Sequence, residues 1–455
     1  MTSETVVMWF RRDLRLGDHA ALEVAARAGR VLPLFVVDPV LMATSGAPRA
    51  AYLHDCLAAL DASLDAAGGG SLVVRHGDPA EVVPQVAEEA GAASVVVTRD
   101  HGPYGRRRDE EVSDRLRGDG RRLRGIGSNH ALEPGTVRKD DGDPYAVFTP
   151  FSKRWTSTLA DAGHVVPGAA TAPDGTCDGA PIAWVTLDGD GLPQRPDVDV
   201  DLPPAGEAAA RERWAAFRDD GIEAYDALRN DPAADATSHL SPHLKWGAIH
   251  PARLLHDMHT IRPARTDGPY VFASELAWRD FYADVLCHRP HTAWSNLRDE
   301  LSGMELDTDD DARRRFARWC DGRTGFPIVD AGMRQLLATG WMHNRVRMIA
   351  ASFLVKDLHL PWQWGARHFL DHLVDGDLAS NNHGWQWAAG TGTDAAPYFR
   401  VFNPTTQFER FDPDGRYVAR WIDEYGVDTY PAPMLDHAAE RREALVRYAA
   451  ATGRS

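Results

Sequence analysis

The chain has 455 residues, 44% of them hydrophobic and 25% charged, an ordinary composition for a globular protein with room for two domains. Its formal charge of −16 argues against a general polyanion binder, whose affinity comes from neutralising phosphates, but allows a basic patch on an acidic body. The longest apolar run, 348–355, is far too short to cross a bilayer. The opening MTSETVV lacks a basic segment followed by an apolar one, and the four cysteines (Cys56, Cys177, Cys287, Cys320) form no CxxC, so the expectation is a cytoplasmic protein with reduced thiols.

The first third alternates strand and helix. Residues 5–10 (TVVMWF), 31–38 (VLPLFVVD), 71–77 (SLVVRHG) and 94–100 (SVVVTRD) are apolar, β-branched runs, and 121–127 (RRLRGIG) is a weaker fifth. Helix-period stretches separate them, which predicts an α/β domain over 1–132 built on a doubly wound parallel sheet. Ligands of such sheets sit beyond the strand C-terminal ends. After the first strand the chain reads FRRDLRLGDHAAL with no GxGxxG, which argues against a dinucleotide bound as NAD is. Residues 133–207, rich in Pro, Gly, Asp and Ala from 164 onward, read as a long interdomain linker. From 208 to 455 the pattern turns helical, with apolar positions at helix period punctuated by Pro327, Gly340, Pro361 and Gly376, so the second domain is all-α.

Chemistry concentrates in 341–404. Asn344, Arg345, Arg347, Asp375, Asp377, Asn381 and Asn382 sit among apolar helices, tryptophans recur at 362, 364, 385 and 387, and Gly376, Ala379, Ser380 and Gly384 let a flat group approach the backbone. A buried polar ring lined with indoles suits a planar, electron-transferring cofactor better than a hydrolytic site. Single motifs remain ambiguous. Asp375 and Asp377 read as metal ligands or as ion-pair partners of Arg345 and Arg347. His239 with His243, and His368 with His372, share helix faces without a third ligand, so no metal site is expected. Thr237, Ser238, His239, Leu240 and Ser241 read as a phosphate cradle or as a helix cap. Glu275, Trp278 and Arg279 share one helix face that could grip an aromatic, phosphate-bearing ligand or hold an internal salt bridge. Trp362 and Trp385 read as an electron relay or as core.

Taken together, MWFRRDLRLGDHAAL, ELAWRDFY, TGFPIVDAGMRQL, TGWMHNRVRMIAASFLVKDL and DGDLASNNHGWQWAAGTGTDAAPYFRVFNPTTQF resemble the DNA photolyase and cryptochrome family, in particular its class I cyclobutane pyrimidine dimer photolyases. The resemblance implies an antenna-chromophore domain followed by a helical domain (208–455) that binds FAD and DNA. It implies light-driven repair of ultraviolet-damaged DNA, by electron transfer from excited, reduced, anionic FAD to a flipped-out dimer. By the same resemblance FAD is held by Tyr225, Thr237, Ser238, His239, Leu240, Ser241, Arg347, Asp375, Gly376, Asp377 and Asn381. Glu275, Asn344 and Asn381 act in catalysis, and Trp385 and Trp362 relay electrons. The damaged DNA meets Arg229, Glu275, Trp278, Arg279, Tyr282, Asn344, Arg345, Met348, Trp387 and Gln407. The implied enzyme is a monomer without an obligate protein partner.

Asn344 and Met348 stand where (6-4) photolyases carry a histidine pair, which favours dimer repair; a cryptochrome-type blue-light photoreceptor without repair activity is the alternative. An antenna of 8-hydroxy-5-deazaflavin rather than reduced folate is expected, because Arg49, Asp100 and Lys245 match its pattern, with Phe35 and Asp38 lining the same pocket. Three positions depart from the family. Asp309 replaces an outer relay tryptophan, Phe272 replaces a tryptophan beside the flavin, and His383 replaces a glycine, where it could donate toward the flavin or point outward.

Overall fold

The computed structural model describes residues 4–259, 267–394 and 400–453. Five parallel strands, β1 (Thr5–Phe10), β2 (Arg30–Val37), β3 (Val73–His76), β4 (Ser94–Thr98) and β5 (Arg122–Ile126), form a sheet in the order β3-β2-β1-β4-β5. β1, β2 and β4 are largely apolar, because strands covered by helices on both faces lose the alternation that marks a half-exposed sheet, whereas β3 ends on Arg75 and His76 and β5 carries two arginines and is nowhere fully buried. β1 is buried at every residue. The strand order reverses between β1 and β4, which places Arg11, Arg12 and Asp13 after β1 next to Thr98, the last residue of β4, and Asp100 beyond it, at the edge that faces the helical domain.

The stretch 133–207 is more structured than its composition suggests. It carries the Phe148–Asp161 helix, whose Phe151, Trp155 and Leu159 are buried in the core of the helical domain. Further along, Val31 of β2 exchanges two backbone hydrogen bonds with residues 183 and 185 (2.8 Å each), so the segment is tied to both halves of the molecule.

The remaining chain is helical, and three helices matter most: Gly268–His288, Asn344–Lys356 and Leu378–Ala389. Asp267 and Asp377 cap the first and last of these through their carboxylates, and Gly390 ends the last in a left-handed conformation (φ 82°). Gly365 allows the Trp362–His372 helix to approach the Leu378–Ala389 helix closely, since a Cβ there would lie 2.1 Å from the ring of Trp385. No helix among the described residues is long and apolar enough to cross a membrane.

Candidate functional site

A cavity of about 510 Å³ opens into the helical domain, within the size range of small-molecule sites. The Gly268–His288 helix turns Glu275, Trp278, Arg279 and Tyr282 toward it, at the i, i+3, i+4, i+7 spacing of one helix face. Asn344, Arg345, Arg347 and Met348 enter from the Asn344–Lys356 helix. Asn381, Gly384, Trp385 and Trp387 enter from Leu378–Ala389, preceded by Asp375, Gly376 and Asp377. Tyr225, Arg229 and the run from Thr237 to Ser241 close the remaining side.

The inner part is polar and incompletely satisfied. Arg347 donates to Asp375 (Nη2 to Oδ2, 2.9 Å) and to the Met342 carbonyl (2.8 Å), while Oδ1 of Asp375 is buried without a partner. Oγ1 of Thr237 is likewise buried and unpartnered. Its loop turns at His239, which adopts φ 52°, and is held from behind by Arg213, which donates to the carbonyls of Ser238 (2.7 Å) and Thr237 (3.0 Å). The side-chain amide of Asn381 donates to the Ala366 carbonyl (3.0 Å) and to Asn382 Oδ1 (2.8 Å), which leaves its oxygen as an unused acceptor on a residue that lines the cavity. A Cβ on Gly384 would meet nothing within 4 Å. Unmatched buried acceptors and hydroxyls, a left-handed loop and open space beside a small residue fit a planar, multiply hydrogen-bonding nucleotide cofactor of the FAD type.

Asp377 anchors a charged bracket between the two domains. Its Oδ1 caps the helix at Ser380 N (3.1 Å). Its Oδ2 accepts from Arg12 (2.8 Å) and lies 3.9 Å from Lys245 Nζ. Burial alone would raise the Asp377 carboxyl, but Arg12, Lys245 and Arg279 overcome that and hold it far below the usual range. Burial and the charge of Arg12 bring the Lys245 ammonium down to about 7, against the pull of Asp377. Arg279, expected on the DNA side, turns its guanidinium inward to the carbonyls of Asn129 (2.7 Å) and Leu244 (3.1 Å). The sequence offers no local signal for this bracket, because Arg12 and Asp377 lie 365 positions apart.

The outer part presents ring faces and cations. Arg229 donates to Glu275, whose carboxyl is pushed up by burial against the opposing effect of that guanidinium. Arg345 donates to Asn230 Oδ1 (2.7 Å) and lies over the ring of Phe411, 4.6 Å from its centroid. Burial and then the neighbouring charges of Arg229 and Arg410 lower the Arg345 guanidinium, so three cations cluster on one rim of an otherwise acidic protein. Trp278 and Trp387 both line the cavity.

Other expected residues sit elsewhere. Trp385 lines the cavity, with Trp319 at 6.0 Å and Phe369 at 5.0 Å between ring centroids, whereas Trp362 is buried in the same core and donates to Asn296 (2.9 Å). Gln407 lies on the Pro404–Phe411 helix, which packs against Asn344–Lys356. Among the antenna residues only Lys245 lines this cavity. Phe35 is buried in the core of the α/β domain, Asp38 accepts from the Tyr104 hydroxyl (2.6 Å), Asp100 accepts from Gly102 N (3.0 Å), and Arg49 reaches the Leu370 carbonyl across the domain boundary.

His383, expected either to donate toward the flavin or to point outward, does neither. It is fully buried, bonded to the Ala379 carbonyl (2.8 Å) and to the Thr292 hydroxyl (2.9 Å), and stacked on Tyr282. Asp309 caps the Asp310–Cys320 helix through Ala312 N. Phe272 packs among Trp214, Phe217 and Tyr225 and reaches the cavity wall. His243 meets the Tyr52 hydroxyl (3.1 Å), and no group of three or more metal-ligating side chains occurs among the described residues.

Comparison with known proteins is consistent with this geometry. Residues 6–172 match the family model described as DNA photolyase, and 272–427 match the FAD binding domain of DNA photolyase. The chain is 41% identical to a deoxyribodipyrimidine photo-lyase from Streptomyces griseus, over 98% of its own length and 99% of that protein. It superposes with a TM-score of 0.87 on a bacterial class III photolyase from Agrobacterium tumefaciens (37% identity, 100% and 98% of the two chains). The TM-score is 0.85 for a Synechocystis cryptochrome (27% identity, 98% and 99%).

Proposed function

The chain belongs to the DNA photolyase family, and we propose that it repairs cyclobutane pyrimidine dimers in DNA with FAD and light. The observation that carries this reading is the union, in one cavity, of a polar lining (Asp375, Thr237, Asn381) with an aromatic and cationic one (Trp278, Trp387, Arg229, Arg345). When bound, reduced FAD supplies an excited-state electron to the dimer and recovers it once the C5–C5′ and C6–C6′ bonds have broken.

The chain's own residues bind, orient and exclude water. Tyr225 and the Thr237–Ser241 run would hold the phosphates and ribose of FAD, and Asp375, Gly376 and Asp377 its rings, with Arg347 fixing the orientation of Asp375. The free oxygen of Asn381 would accept a hydrogen bond from a ring N–H of the cofactor, a bond that favours the reduced form without adding charge. At the mouth, Trp278 and Trp387 would stack on the extruded bases above Met348, each stack contributing roughly 1–3 kcal/mol. Tyr282 would back the indoles. Glu275 and Asn344 would hydrogen-bond the dimer's carbonyl and imide edges, bonds that strengthen as negative charge develops there. Arg229, Arg345 and Gln407 would meet the backbone of the DNA, which explains how an acidic protein binds a polyanion.

The finer assignments follow from the residues. Asn344, Met348, Glu275 and Trp387 support dimer repair over the (6-4) lesion, and the class I subtype rests on the sequence motifs. Arg49, Asp100 and Lys245, with Phe35 and Asp38, support a deazaflavin antenna in a domain spanning 1–132, joined through 133–207 to the catalytic domain at 208–455. Trp385 and Trp362 would relay electrons to oxidised flavin. A cytoplasmic monomer is the simplest form consistent with these features.

Incubating the reduced, FAD-loaded protein with dimer-bearing DNA tests this reading. Blue light should restore intact pyrimidines and darkness should not. Dimers that persist under light would leave the cryptochrome-type photoreceptor as the better reading. Chromophores extracted from the same protein should include a deazaflavin, and an extract holding only folate beside FAD would overturn the antenna assignment.

A further inference from the structure

Trp278 has two flat faces, and one is already taken. Phe148, from the Phe148–Asp161 helix, lies against it with ring centroids 3.7 Å apart and planes within 8° of parallel, the closest ring pair among the described residues. Phe281 meets Trp278 at 5.7 Å in a T-shape, and Tyr282 lies at 5.3 Å, tilted. Trp278 lines the cavity and Phe148 does not, so the phenyl ring stacks on the indole from outside the cavity.

Phe148 is itself fixed by a distant carboxylate. The residue before its helix provides no side-chain cap; instead Asp394 accepts the Phe148 N–H through both oxygens (3.0 and 3.1 Å). This satisfies one of the otherwise unpaired donors of a first helical turn. Asp394 follows the Leu378–Ala389 helix, which carries Trp387, and adopts φ 51°. One short path, from Trp387 through Asp394 and Phe148 to Trp278, therefore links the two indoles across the mouth.

We propose that Phe148 is a positioning residue for lesion recognition: stacked behind Trp278 and anchored by Asp394, it presets the plane of that indole and its separation from Trp387, so that a pyrimidine dimer enters a preformed slot. The inference rests on the proposed role of Trp278 in stacking on the dimer. Stacked aromatic pairs stabilise one another beyond their buried area, and holding a recognition side chain in its bound orientation lowers the cost of association. Losing the flat partner should weaken recognition of the lesion by roughly three- to tenfold and leave contacts to the DNA backbone intact.

Equilibrium binding in the dark, with the FAD-loaded protein and matched oligonucleotides with and without one dimer, tests this. Phe148→Leu keeps apolar volume without a flat ring, Phe148→Tyr keeps the ring, and Trp278→Ala removes the indole. Phe148→Leu should lower affinity for the dimer-bearing strand three- to tenfold, with unchanged FAD content and unchanged affinity for undamaged DNA. Phe148→Tyr should restore it. Phe148→Leu combined with Trp278→Ala should lose no more than Trp278→Ala alone, a non-additivity that a merely structural role would not produce. If Phe148→Leu discriminates as well as the parent while Trp278→Ala does not, the inference is overturned. Equal weakening on both DNAs also overturns it. If Trp278→Ala itself leaves discrimination intact, it is the dimer-stacking reading that fails.

Discussion

Asp377→Asn should cost roughly 3–5 kcal/mol of stability and most of the bound FAD, because it removes the carboxylate that Arg12, Lys245 and Arg279 share at the domain boundary. The two side chains have nearly the same shape, so the loss is electrostatic. Asn can still cap Ser380, but it leaves two guanidiniums and an ammonium crowded without the carboxylate they share. Lys245, already brought down to about 7, should then give up its proton more readily still. The sign with pH follows from the depressed carboxyl. Asp377 contributes its full stabilisation above the unfolded carboxylate value of about 4, and loses it as pH falls toward its lower folded value. The parent should thus lose stability in acid through this group and the Asn variant should not. Denaturant melts at several pH values, with flavin absorbance as the measure of cofactor content, would show this. A variant that matches the parent in both would mean that the bracket does not hold the site together.

Glu275→Ala should lower repair per absorbed photon roughly ten- to hundredfold while FAD content stays near that of the parent. Glu275 lines the cavity, and its side chain is held by Arg229 rather than by Asp375, Thr237 or Asn381. Its removal takes away one hydrogen bond to the lesion and leaves Arg229 without its partner, so the loss should appear where charge develops on the dimer. Glu275→Gln keeps a donor and an acceptor and should fall between the two. Parallel losses of FAD and repair in Glu275→Ala would instead make the Arg229 pair a structural fastening.

The parts of the molecule that could be read from the chain are those with local causes. β1 to β4 were legible because parallel strands buried on both faces are continuous apolar runs; β5, whose residues are exposed or only half-buried, gave a correspondingly weaker signal. The Gly268–His288 helix declared its cavity face through the spacing of Glu275, Trp278, Arg279 and Tyr282. What was illegible depends on partners remote in sequence. The family resemblance places Arg279 on the DNA side, and only the folded chain shows that its guanidinium donates to the carbonyls of Asn129 and Leu244. His383 looked available to a ligand until Thr292 and Ala379 were seen to satisfy both ring nitrogens. Phe148 and Trp155 lie in a stretch whose composition reads as linker, because the apolar positions of one helix are diluted by long flanks of Gly, Pro and Asp. Arg213, which supports the Thr237–Ser238 backbone, carried no motif at all.

A crystal structure of the protein with FAD and an oligonucleotide carrying one cyclobutane dimer would decide most directly whether a single cavity serves both cofactor and lesion. The isoalloxazine ring should lie beside the free oxygen of Asn381 with Asp375 engaged, and the dimer should be swung out of the duplex between Trp278 and Trp387. A flavin bound away from Asn381, or a dimer left stacked in the helix with the mouth of the cavity closed to it, would contradict the account.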